Sequence, residues 1–465
     1  MDPTYSAPPG LRQRMLAGLK GLLPSGGHPS RAIVAGFGTA VLIGTLLLML
    51  PIASESRTAT GLITALFTAT AAVCITGLAV VDTGGHWSTF GEVVIVFLMQ
   101  IGGLGIMTLA SLLGLLVSRR IGLRMQISAQ RETKSLGLGD VRAVVAGVIK
   151  LSLAFELVTA IILTGRLMIG YDHGFGAAAY SGVFHAVSAF NNGGLSLYSD
   201  SMTRFVSDPW ISLTVTIAVI AGSLGFPVLF ELGRRIRGGP LRWSMHTKIT
   251  LLTTGVLLLV GFVFLTAAEW DNPATMGPLS VTTKLLAGFF AAVMPRSGGL
   301  NSLDIGEMTS PSLLVQDVLM FIGGGSASTA GGIKVTTFAL LAFVIYAEIR
   351  GEPTVHVMGR RLEASVQRQA LTIALISVAL VMTTTLVLLS ITPFTLDEVL
   401  FETISAVATV GLSTGITPEL PPLAQVLLSL LMFIGRLGPV TLATALALRE
   451  RPRRYELPAE RPIVG

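Results

Sequence analysis

The sequence predicts an all-α membrane protein made of four tandem membrane–pore–membrane repeats around one pseudo-fourfold pore. Three observations predict it. Apolar runs are long enough to cross a bilayer, basic residues gather in alternate loops, and a short glycine-bearing segment recurs four times.

The apolar runs come first. Of 465 residues, 51% are hydrophobic and 12% charged, against roughly 25% charged in a soluble domain. Mean hydropathy is +0.74. Runs at 32–51, 92–117, 144–168, 210–230, 247–268, 313–345, 369–391 and 423–448 reach or approach the roughly 20 residues a spanning helix needs. Arg12, Arg14, Lys20 and Arg31 precede any apolar run, and no short apolar region leads to a cleavage site. Residues 1–31 therefore read as a cytoplasmic tail rather than a signal peptide. The single cysteine, Cys74, excludes an internal disulfide and a cysteine-rich metal site.

Charge placement sets the orientation. Basic clusters lie at 12–31, at Arg119, Arg120, Arg124, Arg131, Lys134 and Arg142, at Arg234, Arg235, Arg237, Arg242 and Lys248, at Arg350, Arg360, Arg361 and Arg368, and at Arg449, Arg451, Arg453 and Arg454. The intervening loops are acidic. Two spanning runs separate each basic cluster from the next, so all five share one side, which the positive-inside rule makes cytoplasmic. Both termini are then cytoplasmic and the protein lies in the cell membrane. The +6 formal charge is explained by this placement rather than by nucleic acid.

The repeat follows. The stretches 66–82, 183–200, 285–304 and 400–419 each hold an apolar helix, a polar glycine-containing segment and a Ser/Thr/Asp-rich exit. Each places a glycine before a leucine: Gly77-Leu78, Gly194-Leu195, Gly299-Leu300 and Gly411-Leu412, at intervals of 117, 105 and 112 residues. The units span 32–118, 140–236, 246–348 and 367–448, with 449–465 a cytoplasmic tail. The helices before the glycines, such as 60–73 and 395–407, are too short to span and fit re-entrant segments. Irregular backbone at membrane depth is tolerated only inside protein or along a water-filled cavity, so four such segments can surround an axis.

Rings of backbone carbonyls can replace the hydration shell of a monovalent cation, and glycine supplies the torsions that aim them. The candidate filter comprises Cys74, Ile75, Thr76 and Gly77; Asn191, Asn192, Gly193 and Gly194; Arg296, Ser297, Gly298 and Gly299; and Ala408, Thr409, Val410 and Gly411. Their side chains differ, as carbonyl chemistry permits. The bland alternative is that the glycines only allow close helix packing; four in register argue against it.

The segments CITGL, AFNNGGL, PRSGGL and ATVGLSTG resemble the four filter segments of the Trk/Ktr/HKT superfamily of potassium transporters, over about 30–450. Within it, the short tails and the lack of extra N-terminal spans look most like the Ktr-type membrane subunit. The resemblance implies potassium, sometimes with sodium, as the translocated ion bound at filter carbonyls, and Gly77 in place of serine favours potassium. Gly193 and Gly298 depart from the small residues, often alanine, that the family has there. It also implies a homodimer in the bilayer working with a separate cytoplasmic ring of nucleotide-binding regulatory subunits. No cofactor is expected in this chain, the nucleotide belonging to that partner, and no soluble domain is expected after residue 449.

The third returning run is interrupted by Gly323, Gly324, Gly325, Ser326, Ala327, Ser328, Thr329, Ala330, Gly331 and Gly332, followed by Ile333 and Lys334. Five glycines at about 1 kcal/mol each against alanine do not make a stable helix. None of the other three returning runs is expected to break in this way. The family has an intramembrane gating loop of similar sequence here. A phosphate-binding loop lacks its strand and its Gly-Lys-Ser/Thr; helix distortion without gating is the competing reading. Arg436 lies within the last run, where a central arginine costs about 2.5–3.5 kcal/mol on insertion scales. It either faces an interior path beside the loop, as the family's arginine does, or snorkels to the cytoplasmic end.

The histidines His86, His173, His185, His246 and His356 lack metal-ligand spacing, and no nucleophilic motif suggests an enzyme. Glycines at Gln100–Gly105 read as packing. Asn191 and Asn192 either face ions or brace the segment, and bracing is preferred. Asp82, Asp200 and Asp304 follow their segments and either concentrate cations at the mouth or are ordinary solvated carboxylates. The alternative function is a secondary transporter coupling cation entry to a solute; repeats sharing one orientation disfavour the inverted design of such folds.

Overall fold

The computed structural model describes residues 29–120, 141–236, 238 and 243–438, with side chains from 33–105, 144–236, 238 and 243–438. The side chains of the basic clusters expected at 12–31, 119–142 and 449–454 lie outside this description, as do both predicted tails except the backbone of residues 29–31. The helices are α1 Pro29–Leu48, α2 Leu62–Val73, α3 Thr89–Arg120, α4 Val141–Tyr171, α5 Phe175–Asn191, α6 Pro209–Leu224, α7 Phe226–Ile236, α8 Met245–Glu269, α9 Val281–Val293, α10 Ser310–Phe321, α11 Val335–Ile349, α12 Ala364–Ile391, α13 Leu396–Val407 and α14 Pro422–Leu437. A single helical turn, Thr83–His86, precedes α3.

Among the described residues, three helices are long and apolar enough to cross a membrane: Val144–Tyr171, Met245–Glu269 and Ala364–Ile391. The pair α6–α7 passes the same test together but bends by 108°. Where side chains are described, the other apolar runs give shorter helical stretches, such as Ile33–Leu48 and Thr89–Gly105. The starts follow local chemistry. Asp208 accepts from the N–H groups of Trp210 and Ile211 with Pro209 in the first turn of α6, Ser244 and Ser280 cap α8 and α9, and Thr395 with Glu398 forms a capping box on α13. Each satisfies backbone donors that a helix start leaves open.

Each of the short helices α2, α5, α9 and α13 follows a longer one in the chain and is largely buried. Phe67, Phe184 and Phe401, each ten residues before its segment's glycine, are all at most 2% exposed. Packing between units runs in a closed circle: α3 packs on α5, α6 on α9, α10 on α13, and α14 returns to α2. Outward residues such as Leu46, Ile161, Val263 and Leu386 are exposed and apolar, as lipid-facing positions are.

The chain is mostly helical, with a short hairpin in which His356–Val357 pairs antiparallel with Arg360–Arg361. Met358 and Gly359 take positive φ of 48° and 80°, the combination a two-residue type I′ hairpin requires. One expectation is corrected: the third returning run is not alone in breaking. The second bends at Gly225, where φ is +89°, and Pro227 two residues on cannot continue the hydrogen-bond ladder.

Candidate functional site: four glycine segments and the adjoining loop

Each short helix ends the same way. The residue two before the glycine is left-handed in all four units: Ile75 at φ 55°, Asn192 at 60°, Ser297 at 79° and Thr409 at 48°. In three units the next N–H bonds back across the turn, from Thr76 to Ala71 (2.8 Å), Gly193 to Ser188 (2.6 Å) and Val410 to Ser405 (2.9 Å). This is the Schellman closure of a helix end. In the third unit the corresponding bond, Gly298 to Met294 at 2.8 Å, is one residue tighter. A left-handed β-branched residue is strained, and Ile75 and Thr409 are two of them; such strain persists where surrounding packing imposes it.

The glycines then take positive φ as well: Gly77 91°, Gly194 67°, Gly299 70° and Gly411 99°. The four lie together. A Cβ on Gly77 would meet the Gly194 Cα at 2.7 Å, and one on Gly194 the Gly299 Cα at 3.0 Å. One on Gly299 would meet the Val410 oxygen, and one on Gly411 the Thr76 oxygen and, at 2.9 Å, the Gly77 Cα. The circle closes on itself. Among the described residues, no N–H or hydroxyl donates to the carbonyls of Thr76, Gly193, Gly298 or Val410.

Three side chains of these segments, Asn191, Asn192 and Ser297, brace the cluster. Asn191 Nδ2 donates to Glu156 Oε1 (2.9 Å), Gln100 Oε1 (3.0 Å) and the Val187 carbonyl (3.0 Å). With its amide oriented to accept from Ser223 Oγ at 2.6 Å, Asn192 donates to the Ala189 and Val219 carbonyls. Ser297 Oγ donates to the Thr409 carbonyl at 2.8 Å. Gly102 packs on the Val73 carbonyl, Gly222 on that of Phe190 and Gly435 on that of Val407, so a glycine in three returning helices receives the short helix of its own unit.

The segment 323–332 is a loop joining α10 to α11, pinched by a parallel bridge between Ile322 and Ile333. It lies against the glycine segments on one side: the Gly331 N–H donates to Ser297 Oγ at 3.0 Å, and a Cβ on Gly331 would strike the Ala408 oxygen. On another side it fills the break between α6 and α7. Gly325 and Thr329 donate to the Ser223 and Gly222 carbonyls at 2.7 and 3.2 Å, and the Ala327 carbonyl accepts from Phe226 at 3.2 Å. Buried backbone groups need such partners.

Three cations hold loop carbonyls. Arg436, 5% exposed, donates to the Thr329 carbonyl and weakly to that of Gly102. Lys334 donates to the Ala330 carbonyl, and Arg296, 3% exposed, to that of Gly323 at 3.2 Å. The two ion pairs among the described residues lie elsewhere, at Arg166–Asp208 and Arg204–Asp200.

On the opposite side of the segments, Asp200 is engaged with Arg204 at 2.6 Å. Partial burial opposes the Asp200 carboxylate, but its bonds to Arg204 outweigh this and hold it below the ordinary carboxylate range. Asp304, exposed, accepts from the Gly306 N–H two residues on at 3.0 Å. Two braces that residue types alone did not reveal also lie here. His185 Nε2 meets Ser196 Oγ at 3.0 Å, and Glu402 accepts from Ser413, from Thr417 Oγ1 at 2.9 Å and from the Thr414 N–H at 3.2 Å. His185 and Glu402 each stand nine residues before their glycine, a register that could have found them.

A family model described as TrkH, cation transport protein, matches residues 28–454. The chain is 39% identical over 427 residues to the Ktr system potassium uptake protein B of Bacillus subtilis, covering 91% of this chain and 94% of that one. The Ktr system potassium uptake protein B of Vibrio alginolyticus is 39% identical over 440 residues, 95% of each. The potassium/sodium uptake protein NtpJ of Enterococcus hirae is 32% identical, over 94% of this chain and 97% of its own. The crystal structure of the potassium transporter TrkH from Vibrio parahaemolyticus superposes with a TM-score of 0.70 at 18% identity, covering 89% of this chain and 85% of that one.

Proposed function

The chain belongs to the TrkH family of cation transport proteins, which are transporters and not enzymes, and on that premise we propose that it is the ion-translocating membrane subunit of a potassium uptake system. Four units surround one pseudo-fourfold pore, and K⁺, with Na⁺ as a second permeant ion, crosses a filter of backbone carbonyls. The observation that carries this reading is the mutual closeness of Gly77, Gly194, Gly299 and Gly411, each approached by backbone of its neighbour in a circle. Positive φ at the glycine and two residues before it, with negative φ between, tilts successive peptides alternately and aims their oxygens to one side. Carbonyls without donors and four helix C-termini, each the negative end of its dipole, supply the field that replaces water around the ion.

The 323–332 loop, with Lys334 and Arg436, is the gate. Support comes from its packing against Ser297 and Ala408 and from the cations that hold it, which repel a permeating cation while the loop is seated. The chain pairs as a homodimer in the cell membrane, termini cytoplasmic, and works with a cytoplasmic ring of nucleotide-binding regulatory subunits. The relatives' assignment to Ktr systems supports such a partner.

The test is rubidium uptake into liposomes by the wild type and Gly77→Ser, with sodium as competitor. A serine side chain enters the Gly194 backbone, so discrimination between rubidium and sodium falls. Unchanged discrimination refutes the filter.

A further inference from the structure

Arg296 and Ser297 are neighbours in the third glycine segment, and they hold the 323–332 loop at its two ends. Arg296 Nη2 donates to the Gly323 carbonyl at 3.2 Å, and the Gly331 N–H donates to Ser297 Oγ at 3.0 Å. Ser297 Oγ passes its own proton on to the Thr409 carbonyl at 2.8 Å, in the fourth segment. A hydroxyl has one proton to give, so this chain runs in one direction, from loop to third segment to fourth.

The Arg296 side chain has no use in a filter made of carbonyls, and burying it costs free energy unless its donors are met. Its remaining bonds go to the Thr254 carbonyl at 3.3 Å and the Thr254 hydroxyl at 3.4 Å, both on α8. The guanidinium thus spans from the entering helix of its unit to the first residue of the loop. Its own carbonyl lies 3.4 Å from Ser223 Oγ, beside the break that the loop completes.

We propose that Arg296 and Ser297 are positioning residues that couple the loop to the third and fourth segments, so that cation discrimination depends on whether the loop is seated. The inference rests on reading the segments as the filter and the loop as the gate. With the loop displaced, Arg296 loses the Gly323 carbonyl and Ser297 loses the Gly331 N–H. The left-handed turn at Ser297 is then restrained only from its own side.

The experiment compares rubidium and sodium uptake into proteoliposomes by the wild type, Ser297→Ala, a chain lacking 326–330, and the chain carrying both changes. Ser297→Ala is expected to lower the rubidium-to-sodium ratio about five-fold, the factor one net hydrogen bond represents. The deletion is expected to lower it similarly, and the combination to go no lower than the deletion. A wild-type ratio in Ser297→Ala, or two reductions that multiply, overturns the coupling. Total rubidium flux separates this from the gate reading: a deletion that fails to raise flux removes the gate, whereas the ratios still decide the coupling. Should Ser297→Ala not fold, Arg296→Lys reads the same link, because an ammonium cannot serve Thr254 and Gly323 together. Its ratio must fall with the loop present and not without it; a ratio unchanged with the loop present overturns the proposal.

Discussion

The N–H of Gly325 donates to the carbonyl of Ser223 at 2.7 Å, so a break in one returning helix is completed by a break in another. Pro227 has no N–H to offer that carbonyl, and Gly225 at φ +89° turns the chain away. The two irregular elements satisfy each other's backbone groups where water is scarce.

A side chain at Gly225 should therefore unseat the loop. A Cβ there would lie 2.5 Å from the Ser326 oxygen, and the backbone, at φ 89° and ψ 150°, is in a region essentially reserved for glycine, where strain is about 1–3 kcal/mol. Gly225→Ala is expected to raise rubidium flux in proteoliposomes about ten-fold, in the direction of a loop deletion. Wild-type flux would break the link between the two elements.

Arg436 makes the second prediction. Removing it frees the Thr329 carbonyl and takes one charge from the path. A hydrogen bond to a charged group contributes about 1.5–3 kcal/mol, so Arg436→Gln is expected to shift the loop toward release and raise flux by about ten-fold or more. If neither Arg436→Ala nor deletion within 323–332 alters flux or single-channel conductance, the loop is not the gate.

The four glycines are expected to fail alike. Gly411→Ala drives its methyl into the Thr76 carbonyl, as Gly77→Ser drives its side chain into Gly194. Rubidium uptake should fall below about a tenth of wild type, since strain of 1–3 kcal/mol per forced torsion adds to the collision. Circular dichroism should show the helices intact. Uptake that survives at Gly411 would remove the fourth segment from the filter.

Glu402 is expected to matter for stability first. Glu402→Ala leaves the donors of Ser413, Thr414 and Thr417 without their acceptor, and each unmet buried donor costs about 1–3 kcal/mol. The thermal midpoint of the purified protein in detergent should fall clearly, and less in Glu402→Gln, whose amide oxygen still accepts. Equal midpoints for all three proteins would show that the brace does nothing.

Much of this was legible because period and composition are local. The short helices expected at 60–73 and 395–407 lie at Leu62–Val73 and Leu396–Val407: each stops at a turn that one sequence window contains, and the second starts at the Thr395–Glu398 capping box. The glycine register at 77, 194, 299 and 411 needed only comparison of the chain with itself. The bend at Gly225 was missed because the run reads as continuously apolar, and a lone Gly-Phe-Pro weighs little beside the five glycines of 323–332. Pairwise roles were also hidden. Nothing near Arg296 in sequence points to Gly323, and nothing near His185 or Glu402 shows that each braces its own segment's exit.

By itself the sequence determined that the chain is an apolar helical protein with basic and acidic loops in alternation and a Gly-Leu pair recurring four times, because hydropathy, charge and residue identity are written residue by residue. Only the tertiary structure decided that α14 closes on α2, that the loop fills the break at Gly225, and that two buried arginines bind carbonyls instead of carboxylates. Those are contacts between residues tens to hundreds of positions apart. Their partners are fixed by packing geometry and by the need to satisfy buried polar groups, which no local pattern records.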